Sequence, residues 1–263
     1  MSITTVRNHL IHYEVLGRGQ PVIFVHGWLG SWRYWWPSMQ DLSAHHRSFA
    51  FDLWGFGDSS KASELYSLEQ YTSLLGEFID QLGIATPVTL VGHSLGAVVA
   101  LLYTIQQPQA VSKLVTVSLP IHGGSLNERL LNSDPDTVVS RILGKGNSFS
   151  EVDSELRKTD QAAMNMLAQE ISGRNFADEL TNCERPLLMV FGEQDPIVQP
   201  PAGDYYHLQK NGQNRFYVGL DDCNHFPMLQ ETAKFNRLLL DFSLAGDELS
   251  KLEPKEYWYR RTR

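Results

Sequence analysis

The chain has 263 residues, with 22 Lys and Arg against 30 Asp and Glu, a formal net charge of −8. That acidic balance excludes nucleic acid as a main partner, because phosphate neutralisation needs an excess of basic side chains. With 42% hydrophobic and 20% charged residues the composition also excludes wholesale disorder, and the length suits a single α/β domain with a sizeable core.

Residues 9–15 (HLIHYEV) roughly alternate and precede the turn Gly17-Arg18-Gly19-Gln20-Pro21, which predicts an antiparallel edge strand. Residues 22–25, 48–51, 88–91, 114–117 and 187–191 are short apolar runs, the pattern of strands covered on both faces, and 215–220 is strand-like too. Helices are predicted between them. Ser67 and Gln70 form a capping box, after which Leu68, Tyr71, Leu74, Leu75, Phe78, Ile79 and Leu82 keep a period near 3.6. Residues 95–107 and 229–245 read as helices as well. The alternation predicts an α/β fold: a mostly parallel central sheet wrapped by helices on both faces.

From 120 to 183 this rhythm stops, with no strand and several helical stretches, the best at 151–171. The expectation is a helical cap, residues 120–183, inserted in a core made of 1–119 and 184–263; ordinary crossover helices with long loops are the alternative. After Gly246 a charged tail ends Tyr257-Trp258-Tyr259-Arg260-Arg261-Thr262-Arg263, to be docked by its aromatics or left solvated. Cys183 and Cys223 are too few for a disulfide framework and lack metal-site spacing. The first ten residues hold no continuous apolar run of a secretory signal. The longest apolar stretch, 88–103, is broken by Gly92, His93, Ser94 and Gly96. A cytoplasmic protein with reduced thiols and no membrane insertion is expected, monomer or homodimer.

The chemistry centres on Gly92-His93-Ser94-Leu95-Gly96, a G-x-S-x-G sequence between a strand-like and a helix-like run. A strand turning sharply into a helix holds a serine hydroxyl clear at the C-terminal edge of the sheet, and small residues two before and two after it allow close packing. The helix N-terminus brings backbone N–H groups and a positive dipole end to developing negative charge. Alone the motif arises by chance; its strand–helix setting makes Ser94 the candidate nucleophile. A serine hydroxyl needs a base and an orienting acid. Asp195 follows the run 187–191, and His225 follows 215–220, both in loops at strand ends. Singly, Asp195 before Pro196 reads as a turn former and His225 as a loop histidine. Together they give the order serine, acid, histidine, with Asp222 as the other acid to weigh.

On these segments the chain resembles the α/β-hydrolase fold family over essentially its whole length. His26-Gly27-Trp28-Leu29-Gly30-Ser31 is similar to the family's H-G-x-x-G-S loop, and Asp52-Leu53-Trp54-Gly55-Phe56-Gly57-Asp58-Ser59 to its D-x-x-G-x-G-x-S turn. The resemblance implies an oxyanion hole from the backbone N–H groups of Trp28 and Leu95. It implies structural roles for His26, Gly27, Asp52, Gly92 and Gly96. It requires neither metal nor organic cofactor; metal signatures such as H-E-x-x-H are absent.

Trp28, Trp32, Tyr34, Trp35, Trp36 and Trp54 cluster in the two loops beside that hole. Trp35 and Trp36 are expected to pack a helix on the sheet. Trp54 and His93, with Ile142, Leu143, Phe149, Met164 and Leu167 from the cap, are the expected pocket lining for a small-molecule substrate, apolar or aromatic. The reading is a serine hydrolase cleaving a small ester. Carbon–carbon bond hydrolases, lactonases, thioesterases and perhydrolases remain alternatives on the same triad. A non-catalytic small-ligand receptor is the alternative of another class, separated by reaction with a fluorophosphonate probe.

Overall fold

The computed structural model describes residues 2–128, 134–138, 149–201 and 215–245. Eight strands form one sheet: β1 (Ser2–Val6), β2 (His9–Gly17), β3 (Gln20–Val25), β4 (His46–Phe51), β5 (Val88–His93), β6 (Val111–Val117), β7 (Leu187–Gly192) and β8 (Arg215–Leu220). Their order is β1-β2-β4-β3-β5-β6-β7-β8. The pairs β1/β2 and β2/β4 are antiparallel, and all later neighbours are parallel. The continuous apolar runs sit where burial is complete: every residue of β5 and β7 is buried, and all of β3 beyond Gln20.

The edge strand β1 left no apolar run to read. Ile3 is 65% exposed, and the strand is joined to β2 by Arg7 and Asn8, with φ of 51° and 66°. That is a two-residue turn with both φ positive, whose twist suits a hairpin, made here without the Asn-Gly pair that would have announced it.

The helices are α1 (Trp36–Leu42), α2 (Leu68–Gln81), α3 (Leu95–Gln106), α4 (Pro135–Thr137), α5 (Ser150–Leu156), α6 (Gln161–Ser172), α7 (Ala177–Asn182), α8 (Pro227–Gln230) and α9 (Thr232–Leu244). Ser67 caps α2 by accepting from the Gln70 N–H, and Leu68, Tyr71, Leu74, Leu75, Phe78 and Ile79 form its buried face. α2 packs on α3, and α1 pairs with α9, so the two pairs clothe the sheet. Asn236 of α9 stitches the second pair: it accepts from Ser38 Oγ at 2.6 Å and donates to Asp41 Oδ2 at 2.7 Å. The run 229–245 is broken at Glu231, whose φ of −121° and ψ of 48° are not helical, so α8 is a separate turn started by Pro227.

Between β6 and β7 the regular elements among the described residues are helices joined by loops, and two isolated bridges, His122↔Asn175 and Leu126↔Val198, tie this segment to itself and to the loop after β7. The stretch 151–171 is two helices rather than one. Asp160 ends the continuity: its carboxylate accepts from the Ala162 N–H to cap α6, while its own N–H donates to Gly55 O at 2.7 Å. Acidic side chains of this segment meet donors on the core. Arg33 Nε donates to Glu155 Oε1 at 2.7 Å, Tyr66 Oη to Asp160 Oδ2 at 2.8 Å, and the Leu68 N–H to Glu170 Oε2 at 2.9 Å. Lys158 Nζ reaches Asp58 Oδ2 at 2.9 Å. The charged tail after Gly246 lies outside the described residues.

Candidate active site

Ser94 sits at the junction of β5 and α3 with φ 53° and ψ −114°, a left-handed backbone that a non-glycine residue adopts only when its surroundings impose it. They do. The Ser94 N–H donates to Val117 O at 2.8 Å, and its carbonyl accepts from the N–H groups of Ala97 and Val98. A Cβ at Gly96 would overlap the carbonyl oxygens of Val25 and His26, and one at Gly92 would overlap Gly96 O. Two side chains are missing so that β3 and α3 can close on the turn. Ser94 is fully buried, and its Oγ has no hydrogen-bond partner.

Asp195 and His225 come together from the ends of β7 and β8. His225 Nδ1 lies 2.7 Å from Asp195 Oδ2. The other carboxylate oxygen accepts from the N–H groups of Ile197 at 2.8 Å and Val198 at 3.0 Å, so the carboxylate is held at both ends. Asp195 is 8% exposed and His225 2%. Asp222, the other acid of these loops, is exposed. The two loops meet because Gly192 has no side chain: a Cβ there would overlap the carbonyl oxygens of Cys223 and Asn224.

The loop after β3 is braced by His26 and the turn after β4 by Asp52. His26 Nε2 accepts from the Leu53 N–H at 2.9 Å, which leaves Nδ1 as the donor to Gly27 O at 2.8 Å. Burial lowers its pKa and keeps the ring neutral, as that pattern requires. Asp52 accepts from the N–H groups of Trp32 and Asp58 and lies 3.0 Å from His12 Nδ1. His12, Asp52 and Asp58 gather potential metal ligands within 4.8 Å of one another. The Asp52 carboxylate already accepts from two amides, and Asp58 pairs with Lys158. Gly27 lies against Ser94, a Cβ there falling 2.9 Å from Ser94 Cβ, and Trp28 follows directly. Leu95 is the first residue of α3, where an N–H has no acceptor one turn back.

The expected pocket residues are distributed differently. His93 is 1% exposed and both its ring nitrogens are engaged, by Tyr34 Oη and His225 O, so it packs beneath the site instead of lining a cavity. Trp54 is fully buried, edge-on to His9, and its carbonyl accepts from Tyr71 Oη. Phe149 stands edge-to-face with Phe226 at 5.8 Å, next to His225. Met164 and Leu167 are fully buried on α6. Ile142 and Leu143 lie outside the described residues. Trp35 packs between Phe24 and Phe235, whereas Trp36 is exposed, edge-on to Trp32. A cleft of about 330 Å³ opens between the loop after β6 and the segment after Asp195, lined by Leu119, Ile121, His122, Ser125, Gln199 and Pro200. Among the described residues, none of Ser94, Asp195, His225, Trp28 and Leu95 lines it.

A sheet of this order, a serine on a strained strand–helix turn and an Asp–His pair from the last two strand ends form one pattern, and the alpha/beta hydrolase fold family matches residues 20–146 by sequence profile. The chain has the fold of the α/β hydrolases. By sequence it is 26% identical to the pimeloyl-[acyl-carrier protein] methyl ester esterase of Vibrio cholerae, over 89% of this chain and 98% of that one. It is 25% identical to the 2-hydroxy-6-oxo-6-(2'-aminophenyl)hexa-2,4-dienoic acid hydrolase of Metapseudomonas resinovorans, over 88% and 86%. The enol-lactonase from Burkholderia xenovorans LB400 superposes with a TM-score of 0.79 at 18% identity, covering 93% of this chain and all of that one, which establishes a shared hydrolase fold. Among the described residues no helix is long and apolar enough to cross a membrane.

Proposed function

We propose that this protein is a serine hydrolase that cleaves small esters through an acyl-enzyme on Ser94. The observation that carries this is the Asp195–His225 hydrogen bond at 2.7 Å, which commits Nδ1 of the ring and leaves Nε2 as the proton-accepting nitrogen, while Ser94 on its strained turn keeps a buried hydroxyl that no other group engages. Nε2 takes the Ser94 proton as Oγ attacks the acyl carbon, and Asp195 stabilises the imidazolium. The tetrahedral oxyanion faces the N–H groups of Trp28 and Leu95, with the positive end of α3 behind the latter. The imidazolium then protonates the leaving alkoxide, and the acyl group stays on Oγ. Water, deprotonated by the same nitrogen, attacks the acyl carbon; the acid leaves and Ser94 regains its proton.

Apolar surroundings support a small apolar or aromatic substrate: the Phe149–Phe226 contact stands next to His225. In this reading helices α5 to α7 serve as a lid, fastened through Glu155, Asp160 and Glu170. Two free, buried cysteines support a reducing, cytoplasmic setting. The deciding experiment uses a fluorophosphonate probe and p-nitrophenyl acetate or butyrate. The wild type is expected to be labelled and to turn over both esters. Ser94→Ala is expected to do neither, with Tm within about 2 °C because no hydrogen bond is lost. Hydrolysis persisting in Ser94→Ala would overturn the nucleophile, and a wild type inert to probe and esters would favour the receptor alternative.

A further inference from the structure

His93, immediately before the nucleophile, is bonded at both nitrogens, and its partners dictate the direction of every hydrogen. Nε2 faces His225 O at 2.7 Å; a carbonyl only accepts, so Nε2 carries the hydrogen. Burial, reinforced by His225, pushes the pKa of His93 well below the usual imidazole range, so the ring is neutral and Nδ1 is an acceptor. Tyr34 Oη, 2.9 Å from Nδ1, therefore donates to it. Burial pushes the Tyr34 pKa well up, so the hydroxyl keeps its proton. The Gly27 N–H in turn donates to Oη at 2.5 Å. One chain of donors runs from Gly27 through Tyr34 and His93 to the backbone of His225.

That chain joins the three segments the proposed reaction uses. Gly27 precedes the Trp28 amide on the loop after β3, His93 precedes Ser94, and His225 is carried by the loop after β8. The His93 and His225 rings lie 4.6 Å apart, and Tyr34 is edge-on to His93 at 5.5 Å and to Phe226 at 6.0 Å. Asp195 holds the His225 ring from one side, and His93 holds its backbone from the other. Loops leaving strands as distant as β3 and β8 have no shared ladder to set their spacing. A site misplaced by about 1 Å loses on the order of 10²-fold in rate.

We infer that Tyr34 and His93 are positioning residues that fix the amide-bearing loop and the His225 backbone relative to Ser94. The inference rests on the serine-hydrolase reading and touches neither substrate nor proton transfer. Tyr34→Phe keeps the ring and deletes both hydroxyl bonds; kcat for p-nitrophenyl butyrate is expected to fall about 10- to 100-fold, with KM within about threefold. His93→Gln offers an amide N–H toward His225 O and His93→Leu offers none, so the Gln variant is expected to retain about tenfold more kcat than the Leu variant. Thermal unfolding checks that each is folded, and should the His93 variants fail to fold, Tyr34→Phe decides alone. Wild-type kcat in folded Tyr34→Phe, equal losses in folded Gln and Leu variants, or a loss confined to KM would overturn the inference. Ser94→Ala in the same assay separates the two failures. If it still hydrolyses, the serine-hydrolase reading falls; if it is inactive while Tyr34→Phe is fully active, only the positioning role falls.

Discussion

Arg33 and Glu155, 122 residues apart in sequence, meet at 2.7 Å, with the arginine side chain 38% exposed and the glutamate 2%. The pair joins the turn after the Gly27–Trp28 loop to α5, and Lys158 approaches the same carboxylate oxygen at 3.3 Å. Its two ends are not equivalent. Without Arg33 a buried carboxylate keeps only one partial counter-charge, whereas without the Glu155 charge both cations turn to water. Arg33→Met is expected to cost about 2–3 kcal/mol and Glu155→Gln about 1 kcal/mol. Urea unfolding of the two variants measures this, and the reverse order would contradict the assignment of burial.

Asp195→Asn keeps an oxygen for the Ile197 and Val198 amides but turns an N–H toward His225 Nδ1. The ring must then accept at Nδ1 and carry its hydrogen on Nε2, where a base is needed. Activity is expected to drop by about 10⁴, as for the equivalent change in serine proteases, while the fold persists. Steady-state hydrolysis measures it; an Asn variant of full activity would move the acid elsewhere, to Asp222 first.

Gly192→Ala tests how the acid and histidine loops are held together. Its Cβ would overlap the Cys223 and Asn224 carbonyls, so the histidine loop must shift. A loss of about 10² in kcat is expected, with about 1–3 kcal/mol of stability. Unchanged kinetics would mean that the loop spacing is set elsewhere.

Acid should weaken this protein through its buried imidazoles. Burial is the leading cause of the lowered pKa of both His26 and His93. As pH falls below about 6.5 the unfolded chain takes up these protons and the folded one does not. The stability is thus fully present above about 6.5 and declines toward the folded pKa values, by up to about 1.4 kcal/mol per pH unit for each ring. Urea midpoints between pH 7.5 and 5 should fall accordingly, and a flat profile would contradict neutral buried rings.

What could be read from the residue order is what local rules govern. Apolar runs of strand length mark β3 and β5 to β7, because strands buried on both faces carry mostly apolar residues. The Ser67 cap and the 3.6 period mark α2, because both act within a few residues. The elbow glycines flank Ser94 because backbone has to pass where their side chains would be. Only the folded chain shows which acid reaches His225, since Asp195 and Asp222 are both loop acids until the buried one is seen to hold Nδ1. Only it turns His93 from a pocket candidate into a link between Tyr34 and His225, and splits 151–171 where Asp160 reaches Gly55. Those outcomes depend on partners 30 to 132 residues away, delivered by sheet order and loop closure, which no local pattern in the chain encodes.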